Sequence, residues 1–188
     1  RTVIDQAAEK LDTRFKNQPL VEATIRHTLA ETYDMLKAYQ QAYRMAERAT
    51  ELRRKSLGEN HEATLESALL SAKALSGQGD FVASHTLDKE IAERATTALG
   101  PEHPLTLETR RHLGRVLIPL ARYEESQKTL SEVLRLEKES LGDDHELTLR
   151  TLAALGTLHL KQGRYDKAAA ITREVIKVRR RMLGSNHP

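Results

Sequence analysis

Apolar residues recur along this chain at spacings of three and four, the period of helices that each bury one stripe. Val3, Ile4, Ala7, Ala8, Leu11 and Phe15 form the first stripe, over residues 1 to about 16. Asn17-Gln18-Pro19 interrupts it, because the proline ring fits a first helical turn and not a helix interior. The pattern next predicts a helix from about Leu20 to Leu36, with Ile25, Leu29, Tyr33 and Leu36 on its apolar side. A second, from about Gln40 to Ser56, answers it with Tyr39, Ala42, Ala46 and Ala49; small residues there let two helices approach closely.

The same arrangement then recurs at a fixed interval. Leu57-Gly58, Leu99-Gly100, Leu141-Gly142 and Leu183-Gly184 follow one another every 42 residues, each with a histidine three residues after its glycine, at His61, His103, His145 and His187. Tyr39, Phe81, Tyr123 and Tyr165 each precede the next Leu-Gly by 18 residues. Thr64-Leu65, Thr106-Leu107 and Thr148-Leu149 keep the same step. Strict self-similarity at this period predicts an all-α repeat solenoid, in which each antiparallel helix pair buries its core against its neighbours.

The register divides the chain into an N-terminal capping helix (1–16), repeats at 17–58, 59–100, 101–142 and 143–184, and the start of a truncated further repeat at 185–188. Both ends read as cut from something longer. Gly58 is expected to end its helix as a left-handed cap, with Arg53, Arg54 and Lys55 in the last turn, where cations favour the dipole. The second repeat is the most degenerate. Its Ser71, Ala72 and Ser76-Gly77-Gln78-Gly79 predict a short or frayed first helix. Ile118-Pro119 predicts an early stop or a kink in the third. The fourth repeat is the most regular.

A small set of positions in each helix pair carries a family resemblance. Leu155-Gly156, Gly163, Tyr165 and Ala168 resemble the tetratricopeptide repeat. The third repeat keeps Leu113-Gly114 and Tyr123 with Ser126 in the alanine position; the second keeps Gly79 and Phe81 with Ala72 and Ser84; the first keeps Leu29, Tyr39 and Ala42 with Ala30. The period of 42 and the junction Leu-Gly-x-x-His-Pro-x-Thr-Leu are similar to the long variety found in kinesin light chains. The resemblance implies a right-handed superhelical solenoid whose first helices line a concave groove. The opening segment, with Val3-Ile4-Asp5-Gln6-Ala7-Ala8, Phe15 and Gln18-Pro19, resembles the start of the repeat region that follows the kinase domain in large bacterial serine/threonine kinases. No kinase motif is present, so no kinase activity is expected of this chain.

Composition narrows the function classes. The 188 residues are 39% hydrophobic and 30% charged, with 30 basic and 27 acidic side chains and a formal charge of +3. That balance, with few aromatics to stack on bases, argues against nucleic acid. The sequence offers no run of roughly 18 apolar residues for membrane insertion. It has no cysteine, which fits the cytoplasm or a soluble part of a membrane-anchored protein.

Candidate chemistry is sparse. The four histidines recur one repeat apart, whereas zinc needs its ligands about 2 Å from one point. They are expected to serve the inter-repeat turns, satisfying free amides of the next helix, and no metal or cofactor is expected. Carboxylates sit at helix starts and turns, and nothing suggests a catalytic residue or an enzyme. Arg179-Arg180-Arg181 reads as a solvated final turn.

The groove positions are the informative ones. By register with the family, Leu69, Lys73, Arg111, Arg115, Ile118, Arg150, Ala153 and Thr157 are expected to face solvent on the concave side. Lys73, Arg111, Arg115 and Arg150 would pair the carboxylates of an acidic peptide or protein segment, and the apolar positions would fix its register. The alternatives are self-association through the repeat ends or packing against a linked kinase domain, with the groove idle. The chain is thus expected to be a protein-protein interaction module of a larger signalling protein.

Overall fold

A computed structural model of the chain describes residues 11–183. Among these, the regular elements are all helices: a one-turn α1 (Leu11–Arg14), then α2 (Pro19–Met35), α3 (Tyr39–Leu57), α4 (Glu62–Gly77), α5 (Phe81–Leu99), α6 (Pro104–Val116), α7 (Tyr123–Leu141), α8 (Glu146–Lys161) and α9 (Tyr165–Leu183). The rest of the expected capping helix, the start at 185–188 and His187 lie outside the described residues. The chain divides into two units, Arg1–Thr109 and Arg110–Pro188. In the first, α2 packs on α3, α3 on α4 and α4 on α5; in the second, α7 packs on α8 and α8 on α9.

Each motif of the repeat has a physical task. Pro19 opens α2 at its first turn, where the missing N–H is not needed. His61 accepts the Ala63 N–H on Nδ1 at 3.2 Å, His103 that of Leu105 at 3.3 Å and His145 that of Leu147 at 3.2 Å. Three of the histidines therefore act as N-caps. The threonine that follows closes the same turn: Thr64 Oγ1 donates to the Gly58 carbonyl at 2.9 Å and Thr148 Oγ1 to the Gly142 carbonyl at 2.8 Å. The leucine after it, as Leu65 and Leu149, is core.

The glycine of Leu-Gly is not the left-handed cap that was expected. Gly58, Gly100 and Gly142 have φ of 96°, 98° and 89° with ψ of 165°, 161° and 168°. That region is open to glycine almost alone, because ψ is far from the left-handed helical value. The turn inside each pair is different. Lys37, Gly79, Ala121 and Gly163 occupy one register position there, all with positive φ.

The core of the first unit holds Leu65, Leu69, Ala72, Ile91, Ala95 and Leu105, with a second cluster of Tyr33, Ala42 and Ala74. That of the second holds Ile118, Leu130, Ala154, Leu155 and Leu158. Ala42, Ala46 and Ala49 are buried as expected, but Leu36 is 63% exposed because it lies beyond the end of α2. The α4 helix is neither short nor frayed and runs for 16 residues. Gly77 at its end admits the Tyr39 ring, which an added Cβ would approach to 2.4 Å. Pro119 has the expected effect: α6 stops at Val116 after 13 residues, against 16 in α8.

Serine in the alanine position is also explained. Ser84 Oγ donates to the Ala72 carbonyl at 2.9 Å and Ser126 Oγ to the Gly114 carbonyl at 2.7 Å. Each hydroxyl is buried but paired, so it adds little cost over alanine.

Candidate functional site

The first helix of each repeat supplies the positions expected to meet a partner, and each unit is described separately. In unit 1, Lys73 of α4 is partly exposed and its Nζ lies 2.5 Å from Glu108 Oε1. Leu69, expected on the solvent side, is 2% exposed and belongs to the core. In unit 2, Arg111 and Ile118 are likewise buried, at 7% and 6%. Arg115 and Thr157 are exposed and Ala153 is partly buried. Arg150 is exposed and its Nε donates to Glu146 Oε1 of its own helix at 3.1 Å, an oxygen that Arg179 also reaches. Among the described residues Arg115 has no ion pair.

The three corrections have physical causes. Leu69 and Arg111 stand one repeat apart, in register with His27, and this position points at the second helix of its own pair. Its partner is a slot occupied by Arg53, Ala95 and Glu137 in successive repeats. In repeat 1, Arg53 Nη1 donates to the Ala63 carbonyl at 2.7 Å and to Ser67 Oγ at 2.8 Å, and lies 3.3 Å from His27 Nδ1. Burial, helped by the Arg53 charge, pushes the His27 pKa below its usual value. In repeat 2 the slot is apolar, Ala95 joining Leu69 in one cluster. In repeat 3, Glu137 is wholly buried and its Oε1 lies 2.6 Å from Arg111 Nη1. Burial pushes the Glu137 carboxyl up, with the Thr151 hydroxyl and Arg111 opposing. Ile118 follows the break at Val116, so it leaves the helical register and packs with Leu130, Leu155 and Leu158.

Two arginines of the α9 run are paired. Arg179 Nη2 donates to Glu146 Oε1 at 3.0 Å, and Arg181 pairs with Asp144. Among the described residues no group of three or more His, Asp or Glu side chains could hold a metal ion. No described helix is long and apolar enough to cross a membrane. One feature that the groove register passes over is a cleft in unit 1 between α3, α4 and α5. Its signal is present in the sequence, in the small Ala68 and Ser71.

A model of the tetratricopeptide repeat matches residues 21–96 and 112–181, more than half of the chain. The chain belongs to the tetratricopeptide repeat family. Solved structures with the same fold include kinesin-light-chain proteins. A kinesin light chain protein of Podosopora anserina with nearly identical TPR-like repeats superposes with a TM-score of 0.74 at 20% identity, over 96% of this chain and 88% of that one. BtubC (BKLC) from P. vanneervenii gives 0.75 at 18%, over 98% and 73%. A Rap protein complexed with competence and sporulation factor gives 0.74 at 17%, and the chain, 94% covered, spans 48% of its length. At these identities the shared property is the TPR fold. Comparison with curated protein sequences gives no match.

Proposed function

We propose that this TPR chain is a non-catalytic module that captures a protein or peptide segment on the first-helix face of its repeats. The observation that carries the reading is Arg115, an exposed guanidinium with no ion pair among the described residues, in register with exposed Thr157 of α8. Arg115 supplies the unpaired positive charge that an acidic segment needs in unit 2, and exposed Arg150 adds to it by exchanging Glu146 for the ligand's carboxylate. The TPR fold and the Rap neighbour solved with a bound factor support a peptide-type ligand.

In unit 1 the corresponding face favours the opposite sign. Lys73 is occupied by Glu108, and burial raises the Glu66 pKa against the pull of Arg53, with Glu62, Glu31 and Glu108 adding to the rise. The acidic preference is therefore a property of unit 2. A second reading, association of two copies through the last helix, draws on Tyr165 and Ile176 of α9, which are 69% and 45% exposed. Membership of a larger kinase protein, and a cytoplasmic setting, remain proposals that rest on the sequence resemblance and composition.

Affinity capture with the parent chain and with Arg115→Glu/Arg150→Glu tests the reading. A partner held by the parent and lost by the double variant, with helicity retained, supports it. Equal capture by both contradicts it.

A further inference from the structure

Unit 1 carries a cleft of about 530 Å³, floored by Ala68, Ser71 and Leu87 and rimmed by Arg44, Arg48 and Arg54. The repeats themselves explain why it is there. In register with Ala68 stand Arg26, Arg110 and Leu152; in register with Ser71 stand Leu29, Leu113 and Leu155. Repeat 2 alone has truncated side chains at both positions. In repeat 1, Arg26 reaches across to Met45 Sδ at 3.7 Å, and Met45 is the register equivalent of Leu87. In repeat 4, Leu155 is 5% exposed and sits in the core of unit 2. The short side chains of Ala68 and Ser71 leave the floor of the cleft open where the other repeats carry longer ones.

A second observation points the same way. Ser71 is 4% exposed and its Oγ has no hydrogen-bond partner. With no partner of its own, this hydroxyl leaves no protein hydrogen bond at the floor that an apolar side chain laid over it would break.

The rim has a sign. Glu47 accepts the Tyr43 hydroxyl at 3.0 Å. Lys55 and Arg48 hold the Glu51 carboxyl down at about 2. Both carboxylates are thus engaged, whereas Arg44 and Arg54 have no ion pair among the described residues. They stand ten residues apart on α3, about 15 Å along a helix axis, one at each end of the cleft.

We propose that this cleft is a second docking site, separate from the first-helix face. It takes an acidic segment of a partner protein that inserts one leucine-sized side chain over Ala68, Ser71 and Leu87 and sets carboxylates against Arg44 and Arg54. The inserted side chain replaces the one that repeat 2 lacks.

The test is fluorescence anisotropy on the full chain with a fluorescein-labelled peptide of two glutamates, a leucine and two glutamates. Saturable binding is expected. It should weaken tenfold or more in Ser71→Leu, which restores the side chain of the other repeats, in Arg44→Glu/Arg54→Glu, and when the peptide leucine is replaced by glycine. The last comparison needs no protein variant and holds whether or not Ser71→Leu folds. No binding to the parent chain overturns the proposal, as does equal binding by the glycine peptide. Loss of binding in Arg115→Glu/Arg150→Glu with Ser71→Leu unaffected also overturns it, and assigns the peptide to the first-helix face instead.

Discussion

Arg111 and Glu137 form an ion pair at 2.6 Å in which the carboxylate side chain is 0% exposed and the guanidinium side chain 8%. A pair so buried contributes little net stability, but breaking it leaves a charge uncompensated, at a cost of about 3–5 kcal/mol. Glu137→Ala should therefore lower the urea midpoint steeply. Arg111→Leu/Glu137→Ala recreates the Leu69 and Ala95 pairing of repeat 2 and should return the midpoint to within about 1 kcal/mol of the parent. A double variant as unstable as the single one would contradict the slot.

His27 predicts the direction of a pH effect. Its folded pKa lies below 6.5, through burial and then Arg53 and Lys73, with Glu31 opposing. The unfolded chain therefore binds the proton first, and the contribution of His27 to stability is present above pH 6.5 and lost as pH falls below it. His27→Leu, the residue of repeat 2, should show a smaller drop in urea midpoint between pH 7.5 and 5.5 than the parent. An equal or larger drop would contradict the assignment.

The two turn types predict opposite signs for glycine. Gly142→Ala forces an alanine to φ of 89° and ψ of 168° and should cost about 1–3 kcal/mol. Ala121 already sits at φ of 58°, where its register equivalents Gly79 and Gly163 are glycine. Ala121→Gly should relieve strain and raise the melting temperature, by about 1 kcal/mol in stability. Thermal unfolding of both variants decides it.

At Gly77 helix propensity and packing oppose each other. Alanine is better than glycine in a helix by about 1 kcal/mol, yet its Cβ would stand 2.4 Å from the Tyr39 ring. The ring cannot give way at Cγ, so Gly77→Ala should lower the melting temperature of the parent but not that of Tyr39→Ala, which lacks the ring.

Much of the fold was legible because the repeat repeats its physics. The apolar pattern placed α2 and α3 within a residue of where they lie, and the His and Thr of each junction satisfy backbone groups at one turn. The break after Val116 was readable from Pro119 alone. What could not be read was which polar residues turn inward. Register with the family puts Arg111 and Leu69 on the solvent side, whereas the pairing with Glu137 and Ala95 across the helix pair buries them. The same register comparison that missed this slot does reveal the cleft, through Ala68 and Ser71. The unshifted length of α4 was obscured by Gly77, which serves Tyr39 rather than ending the helix early.

The most direct test of the interaction surface is site-specific photo-crosslinking in lysate. A benzophenone side chain at Thr157, on the exposed face of α8, is compared with one at Lys167, on exposed α9. The account predicts a protein adduct from position 157 that disappears when Arg115→Glu/Arg150→Glu is added. An adduct from position 167 with none from 157 would contradict it.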